Sequence, residues 1–166
     1  MTVEFLVKEL NLLPHPEGGY YKETYRSGGK IPHTFLSPEF SGDRNMATGI
    51  YFLIEKGNFS ALHKIKSDET WHFYYGDALE VIEIDHDGNL SLTQIGSNLS
   101  KGESFQYTVK ANTWFGSRVS NNGTFSLVGC TVYPGFDFYD FELANRNDLI
   151  KLFPLHKNII TELTRV

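Results

Sequence analysis

Between residues 48 and 133 the chain is a succession of short runs rich in β-branched and aromatic residues, most of them bounded by Gly, Asn, Asp or Ser. The runs at 48–55, 60–65, 70–75, 79–85, 90–95, 104–109, 113–119 and 125–133 each predict a strand. Asp87-Gly88 and Asn122-Gly123 have the composition of hairpin turns. A further strand is predicted over 20–26, with Tyr21, Glu23 and Tyr25 on one face and Tyr20, Lys22, Thr24 and Arg26 on the other. Residues 50–54 are apolar on both faces, which predicts a strand pressed between the core and a second buried surface. Helical periodicity is confined to the ends. Val3, Leu6, Val7 and Leu10 fall at i, i+3, i+4 and i+7 behind Thr2. Asn147-Asp148 is placed to cap a short helix that stops before Pro154, and a helical, peripheral tail follows. Pro14-His15-Pro16-Glu17-Gly18-Gly19 breaks regular structure, and a Gly-, Pro- and Ser-rich loop over about 27–46 is long enough for a lid or an interface segment.

Short strands with no helix between them predict an all-β sandwich or barrel with short peripheral helices at both termini. At 166 residues the chain reads as one domain with its core over about 19–141, without repeats or low-complexity stretches. Aromatics at 14%, with thirteen Phe and nine Tyr, suit pleated, half-buried surfaces and strengthen the β reading. A net charge of −5 with no basic cluster argues against a nucleic-acid partner. The absence of a membrane-length apolar run or a signal-peptide pattern leads to an expectation of a soluble, cytoplasmic chain with no membrane partner. Cys130 is the only cysteine, lies in an apolar run and reads as a small buried hydrophobe.

Chemistry concentrates between Gly57 and Gly76. Alternate residues of a strand share a face, so Ala61, His63 and Ile65 point one way while Lys64 and Lys66 seek solvent. By the same rule Glu69, Trp71, Phe73 and Tyr75 share a face, and an interior position for the two large apolar rings carries Glu69 inward. An acid and a histidine then meet in an aromatic-lined interior, which is costly unless they are hydrogen-bonded or used. His72 sits at odd spacing from Glu69 and should face the other way unless a bulge reverses it.

The spacing Gly57, five residues, His63, one residue, Ile65, three residues, Glu69, six residues, Gly76 resembles the first signature of the cupin superfamily, with Ile65 where metal-binding members carry a second histidine. The second signature is matched only loosely, and Phe115 stands where its histidine would be. Three segments, 13–23, 68–77 and 132–141, sharpen the likeness to the cupin-five family, small bacterial and fungal proteins of unknown function. That resemblance implies a double-stranded β-helix (jelly roll), a cavity in the barrel and a homodimer. It also implies a fold similar to the dTDP-sugar 3,5-epimerases, which work without metal through a histidine base and a tyrosine acid.

Three functions follow as expectations. The first is a module that binds a small polar ligand, such as a sugar or hydroxy-acid derivative, in an aromatic-lined cavity, with Trp71, Phe73, Glu23, Trp114 and Phe136 as candidate binding residues. The second is a metal-independent epimerase or isomerase with His63 as general base, tuned by Glu69, and Tyr21 or Tyr75 as acid. The third is a metal-dependent cupin. No cofactor is expected, because two histidine positions hold apolar side chains; a divalent metal would have only His63, Glu69 and His72 to use. Glu17 with Gly18-Gly19 reads as a turn former, and Glu23 with Arg26 also reads as surface or dimer-contact charge. Pro134-Gly135-Phe136 reads as an aromatic plug at the barrel end, and His33, His86 and His156 read as solvated.

Overall fold

Thr2 opens helix α1 (Val3–Glu9): its side chain accepts the Phe5 amide at 3.2 Å, and Glu4 and Lys8 complement the helix dipole at the two ends. The computed structural model describes residues 1–120 and 122–165. After α1 come strands β1 (Tyr20–Arg26), β2 (Thr48–Glu55), β3 (Phe59–Lys64), β4 (Asp68–Gly76), β5 (Leu79–Ile84), β6 (Leu90–Ile95), β7 (Gln106–Val109), β8 (Trp114–Val119) and β9 (Phe125–Tyr133). Helices α2 (Arg146–Leu152) and α3 (Lys157–Glu162) close the chain. The cap of α2 is Asn145, two residues earlier than the sequence suggested, because Asn145 is the extended residue whose side chain accepts the Asp148 amide.

Among the described residues, a six-stranded sheet runs in the order Leu13–Pro14, β1, β2, β9, β4, β7, and a five-stranded sheet in the order Glu142–Leu143, β3, β8, β5, β6. All ladders within these sheets are antiparallel, and chain neighbours repeatedly land in opposite sheets, which is the jelly-roll pattern. Phe52, Ile54, Trp71, Val81, Phe115 and Val128 pack between the sheets as the main core.

The helices lie outside the barrel and cover its outer faces. Leu62, Ile82 and Ile84 on the outside of the five-stranded sheet are sealed by Leu149, Ile160 and Leu163. Each of the last two is fully buried and contributes about 1.5–3 kcal/mol relative to exposure. On the other sheet, Leu53 and Leu127 are covered by Leu6 and Leu12 at the N-terminal end. This is the second buried surface that the doubly apolar stretch 50–54 called for. The covering element is α1, so that stretch carries no argument for a dimer. His156 is held by the Gly88 carbonyl at 2.7 Å and is only partly solvated, whereas the His86 side chain is 87% exposed. Among the described residues, no helix is long and apolar enough to cross a membrane.

The segment 27–46 is not featureless. Lys30–Ile31 pairs with Arg44–Asn45, and Arg44 turns inward to a bidentate pair with Asp140 at 2.6 and 2.7 Å. That pair ties the segment to residues 134–141, which cross the open end of the barrel.

Candidate functional site

A cavity of about 340 Å³ opens between the sheets, toward the low end of the ~300–1,000 Å³ typical of small-molecule sites. His63 from β3 and Glu69 from β4 both reach it, as the strand alternation predicted. Its other polar groups come from the turn at 15–19, from Thr48, Cys130 and Asp137, and from β1. In β1 a register shift between Glu23 and Tyr25 brings Arg26 to the side of Tyr21 and Glu23 instead of the opposite face expected from alternation.

The turn is the decisive element. Gly18 (φ +117°) and Gly19 (φ +71°) adopt backbone angles that side chains resist, and a Cβ on Gly19 would stand 2.7 Å from the Leu53 carbonyl oxygen. A Cβ on Gly18 would collide with the Phe59 carbonyl oxygen and the Arg165 guanidinium. These two glycines let the chain fold back against β3, where the Glu17 carbonyl accepts the Ala61 amide at 2.9 Å. The Glu17 side chain is thereby driven into the barrel, 6% exposed, with Ser60 donating to its Oε1 at 2.9 Å.

The hydrogen-bond network assigns the protons. His63 Nδ1 lies 2.8 Å from the Ala61 carbonyl, which only accepts, so Nδ1 carries a hydrogen. Nε2 of the same ring faces Glu17 Oε2 at 3.2 Å, and one proton must be shared across that contact. Burial pushes the His63 pKa down and the Glu17 pKa up, and both shifts favour leaving the proton on Glu17 with the pair uncharged. His15 accepts the Glu17 amide on Nδ1 at 3.3 Å, which leaves its hydrogen on Nε2. Burial pushes its pKa down as well; the Glu17 charge opposes that and the His63 charge reinforces it.

Glu69 is 8% exposed, and burial raises its pKa to about 7, with the charge of His63 resisting and that of Glu17 adding to the shift. A carboxyl is thus poised to hold or release a proton at neutral pH. Cys130 lies against Glu69; burial, and then the charge of Glu69, raise its thiol well above the ordinary range. It lines the cavity as a buried, protonated thiol.

Nearer the mouth, Tyr21 stacks edge-on to His15 with ring centres 4.6 Å apart. Glu23 forms a two-pronged pair with Arg26 at 2.9 and 2.7 Å, and Arg26 also donates to Asn45 and to the Phe136 carbonyl. Phe136 and Phe138 wall the entrance edge-to-face at 5.0 Å.

His63, Glu69, Tyr21, Glu23 and Phe136 therefore gather at one cavity, and the other candidates do not. Trp71 faces inward but is 1% exposed beneath the cavity, between Phe52 and Phe115, with its indole N–H unpartnered among the described residues. Phe73 packs against the same core. Tyr75 leaves the inner face because β4 bulges against β9: Val128 pairs with Phe73 and Leu127 with Tyr75, which skips Tyr74 and puts Tyr75 against Phe125. Trp114 is the neighbour of inward Phe115 and so points outward, its ring beneath Lys64 Nζ at 4.6 Å. His72 also faces away, between Thr131 at 3.0 Å and Gln106 at 2.9 Å. Sequence reasoning missed His15, Glu17 and Arg26 as cavity residues. The available signal was an acid directly before two glycines, a place where the backbone can deliver a side chain inward.

The transition-metal centre of many cupins does not fit these residues. Ile65 is 3% exposed in the core, and Phe115 packs on His63 with ring centres 4.1 Å apart, so carbon fills both missing histidine positions. His72 is turned away, and among the described residues no group of three or more His, Cys, Asp or Glu is arranged to hold a metal ion.

The chain is similar to several known proteins. A hypothetical protein from Leishmania major matches with 38% identity and a TM-score of 0.91, covering 100% of both chains. The Shewanella oneidensis protein SO0799 matches with 38% identity and a TM-score of 0.88, over 99% of this chain and 98% of that one. The uncharacterized Saccharomyces cerevisiae protein YML079W is 28% identical over 163 residues, 90% of this chain and 79% of that protein. Oxalate decarboxylase from Bacillus subtilis, at 15% identity and a TM-score of 0.55 over 36% of its chain, shares the fold alone. The model of the Cupin_5 family, described as cupin superfamily (DUF985), matches residues 4–144, and the chain belongs to that family.

Proposed function

We propose that this cupin is a metal-free acid–base catalyst that moves a proton at a carbon next to the carbonyl of a small polar substrate, an isomerase or epimerase in type. The observation that carries the reading is the buried 3.2 Å contact of His63 with Glu17 beside Glu69 on a single small cavity, where burial favours an uncharged pair and raises the Glu69 pKa to about 7. Titratable groups pushed apart by their surroundings are how one site supplies both an acid and a base at neutral pH. The sequence cast His63 as the base, but its Nε2 is occupied by Glu17, so the base role passes to Glu69.

In this reading, Glu69 as carboxylate takes the proton from carbon, and the His63–Glu17 pair gives its shared proton to the carbonyl oxygen. A neutral enol results, with Glu69 protonated and Glu17 ionised. The reverse steps, with Glu69 returning its proton to the other face or to the neighbouring carbon, complete an epimerisation or isomerisation. The likeness of the fold to metal-free sugar epimerases is an analogy in support.

Incubation with small sugars and hydroxyketones in D₂O tests this, with deuterium at the carbon next to the carbonyl as the readout. The expected result is incorporation that falls about 100-fold or more in Glu69→Gln. Saturable binding with no incorporation would instead support the second reading, a ligand-binding module, which the aromatic walls Tyr21, Phe136 and Phe138 favour.

A further inference from the structure

Arg26 is the one arginine or lysine among the described residues that line the cavity, and it is already spent. Nε–H and one Nη2–H go to the Glu23 carboxylate, and Nη1 donates to Asn45 Oδ1 at 3.0 Å and to the Phe136 carbonyl at 3.1 Å. Four of its five N–H groups are thereby committed, and the Asp137 charge also acts on it. Another guanidinium, that of Arg44, is locked to Asp140 outside the lining.

The two histidines do not replace it as cations. Both ring nitrogens of His63 are taken, Nδ1 by the Ala61 carbonyl and Nε2 by Glu17, and His15 accepts the Glu17 amide on Nδ1, which leaves it one hydrogen on Nε2. Against this stand four carboxyl groups on the same lining: Glu17, Glu23, Glu69 and Asp137. The charged groups of the cavity are therefore acidic apart from one paired guanidinium, and Glu23 and Asp137 present acceptors beside it. A carboxylate or phosphate entering it would meet acidic oxygens with no uncommitted cation to pair with, the juxtaposition by which sites reject a wrong partner. A ligand rich in O–H or N–H donors finds acceptors on Glu23 and Asp137, while the faces of Phe136 and Phe138 suit ring C–H groups or an ammonium.

We infer that the cavity selects an uncharged polyhydroxy compound or its amino derivative, and rejects carboxylates and phosphate esters, because Glu23 and Asp137 neutralise the one fixed cation at its mouth. The hydroxy-acid alternative raised by the sequence is set aside by this charge balance, as are sugar phosphates. The inference rests on the cavity being a ligand site, and it assigns the class of ligand.

Two charge series of matched shape test it at pH 7: D-glucose, D-glucosamine, D-glucuronate and D-glucose 6-phosphate, then ethylene glycol, ethanolamine, acetate and inorganic phosphate. Binding is read from the imidazole NMR signals of His63 and His15 in the full chain. Titration runs to about 100 mM, where even a millimolar Kd is saturated. The neutral and amino members should bind at least about tenfold more tightly than the anions of their series. Glu23→Gln, which frees Arg26, should narrow that gap about tenfold by admitting the anions. Anions binding as tightly as the neutral members would overturn the inference, as would silence from every member of both series. Because the readout is binding alone, the two ideas fail separately. Absence of deuterium exchange ends the catalytic reading and leaves the charge preference intact, whereas exchange on a tightly bound carboxylate does the opposite.

Discussion

Glu17 Oε2 and His63 Nε2 face one another at 3.2 Å although one residue lies on a glycine turn and the other in the middle of a strand. Nδ1 holds a hydrogen against the Ala61 carbonyl in either state, and burial, which lowers the His63 pKa and raises that of Glu17, favours a carboxylic acid donating to an imidazole over an ion pair. Glutamine mimics a protonated glutamate: its amide can donate to Nε2 while its oxygen still accepts from Ser60. Glu17→Gln should therefore change stability at pH 7 by no more than about 1 kcal/mol, whereas Glu17→Ala strands two buried polar groups at about 1–3 kcal/mol each. Urea unfolding of both variants checks this. Equal losses in the two would mean that the pair is ionised and that the proton assignment is wrong.

The raised pKa of Glu69 has a consequence for stability. Its folded value of about 7 exceeds the ordinary 4.5, so the folded protein holds this proton more tightly than the unfolded chain. The associated stabilisation is complete below about pH 4.5 and is lost as pH rises to about 7, a total of about 3 kcal/mol. His63 and His15 act in the opposite sense: their depressed values favour the fold above pH 6.5 and weaken it below. The wild-type curve is thus a composite, and the difference between wild type and Glu69→Gln reports Glu69 together with its charge coupling to His63 and Glu17. Relative to wild type, Glu69→Gln should gain about 3 kcal/mol between pH 4.5 and pH 8 in chemical denaturation. A pH-independent difference would show that Glu69 titrates normally.

The barrel was legible in the sequence because strand alternation and turn residues are local signals. The predicted spans 20–26, 48–55, 90–95 and 125–133 coincide with β1, β2, β6 and β9. The same alternation delivered His63 and Glu69 to the interior. It failed at Tyr75, where a bulge fixed by pairing with a distant strand breaks the period of two, and such pairing leaves no mark in the strand itself. It failed differently at Trp114. Phe115 had been placed by analogy with an inward ligand, and the same rule, applied one residue back, points Trp114 outward. Glu17 was out of reach for a third reason. A glycine pair announces a turn, but which way the turn folds depends on β3 and on Arg165 far along the chain.

Arg44 and Asp140 bury a two-pronged ion pair, each side chain about 5% exposed or less, and so pin residues 41–44 to the segment that carries Phe136 and Phe138. Removing one member leaves a buried charge without its partner, which costs about 3–5 kcal/mol. Asp140→Asn should lower stability by that amount in urea and should loosen the cavity mouth. Faster proteolysis within 134–141 would report the loosening. A loss below about 1 kcal/mol would mean that the carbonyls of Gly42 and Asp43 hold the Arg44 guanidinium without help from Asp140.

The missing metal shell can be tested by restoring it. Phe115 pairs across the sheet with His63, and Ile65 follows His63 on the same inward face, so two imidazoles introduced there would converge on His63 and Glu69. Without metal the double variant Ile65→His, Phe115→His should be markedly destabilised, since two large core side chains become polar. Zinc or manganese should then rescue it, by about 2.7 kcal/mol once the free metal exceeds its Kd 100-fold, because ions bound only by the folded state stabilise it by mass action. Elemental analysis after desalting should find close to one equivalent in the double variant and far less in the wild type. The melting temperature should climb with metal in the variant alone. If the wild type itself kept an equivalent of metal that His63→Ala removed, carbon at residues 65 and 115 would not be the barrier, and a donor set that includes Glu17 and His15 would have to take its place.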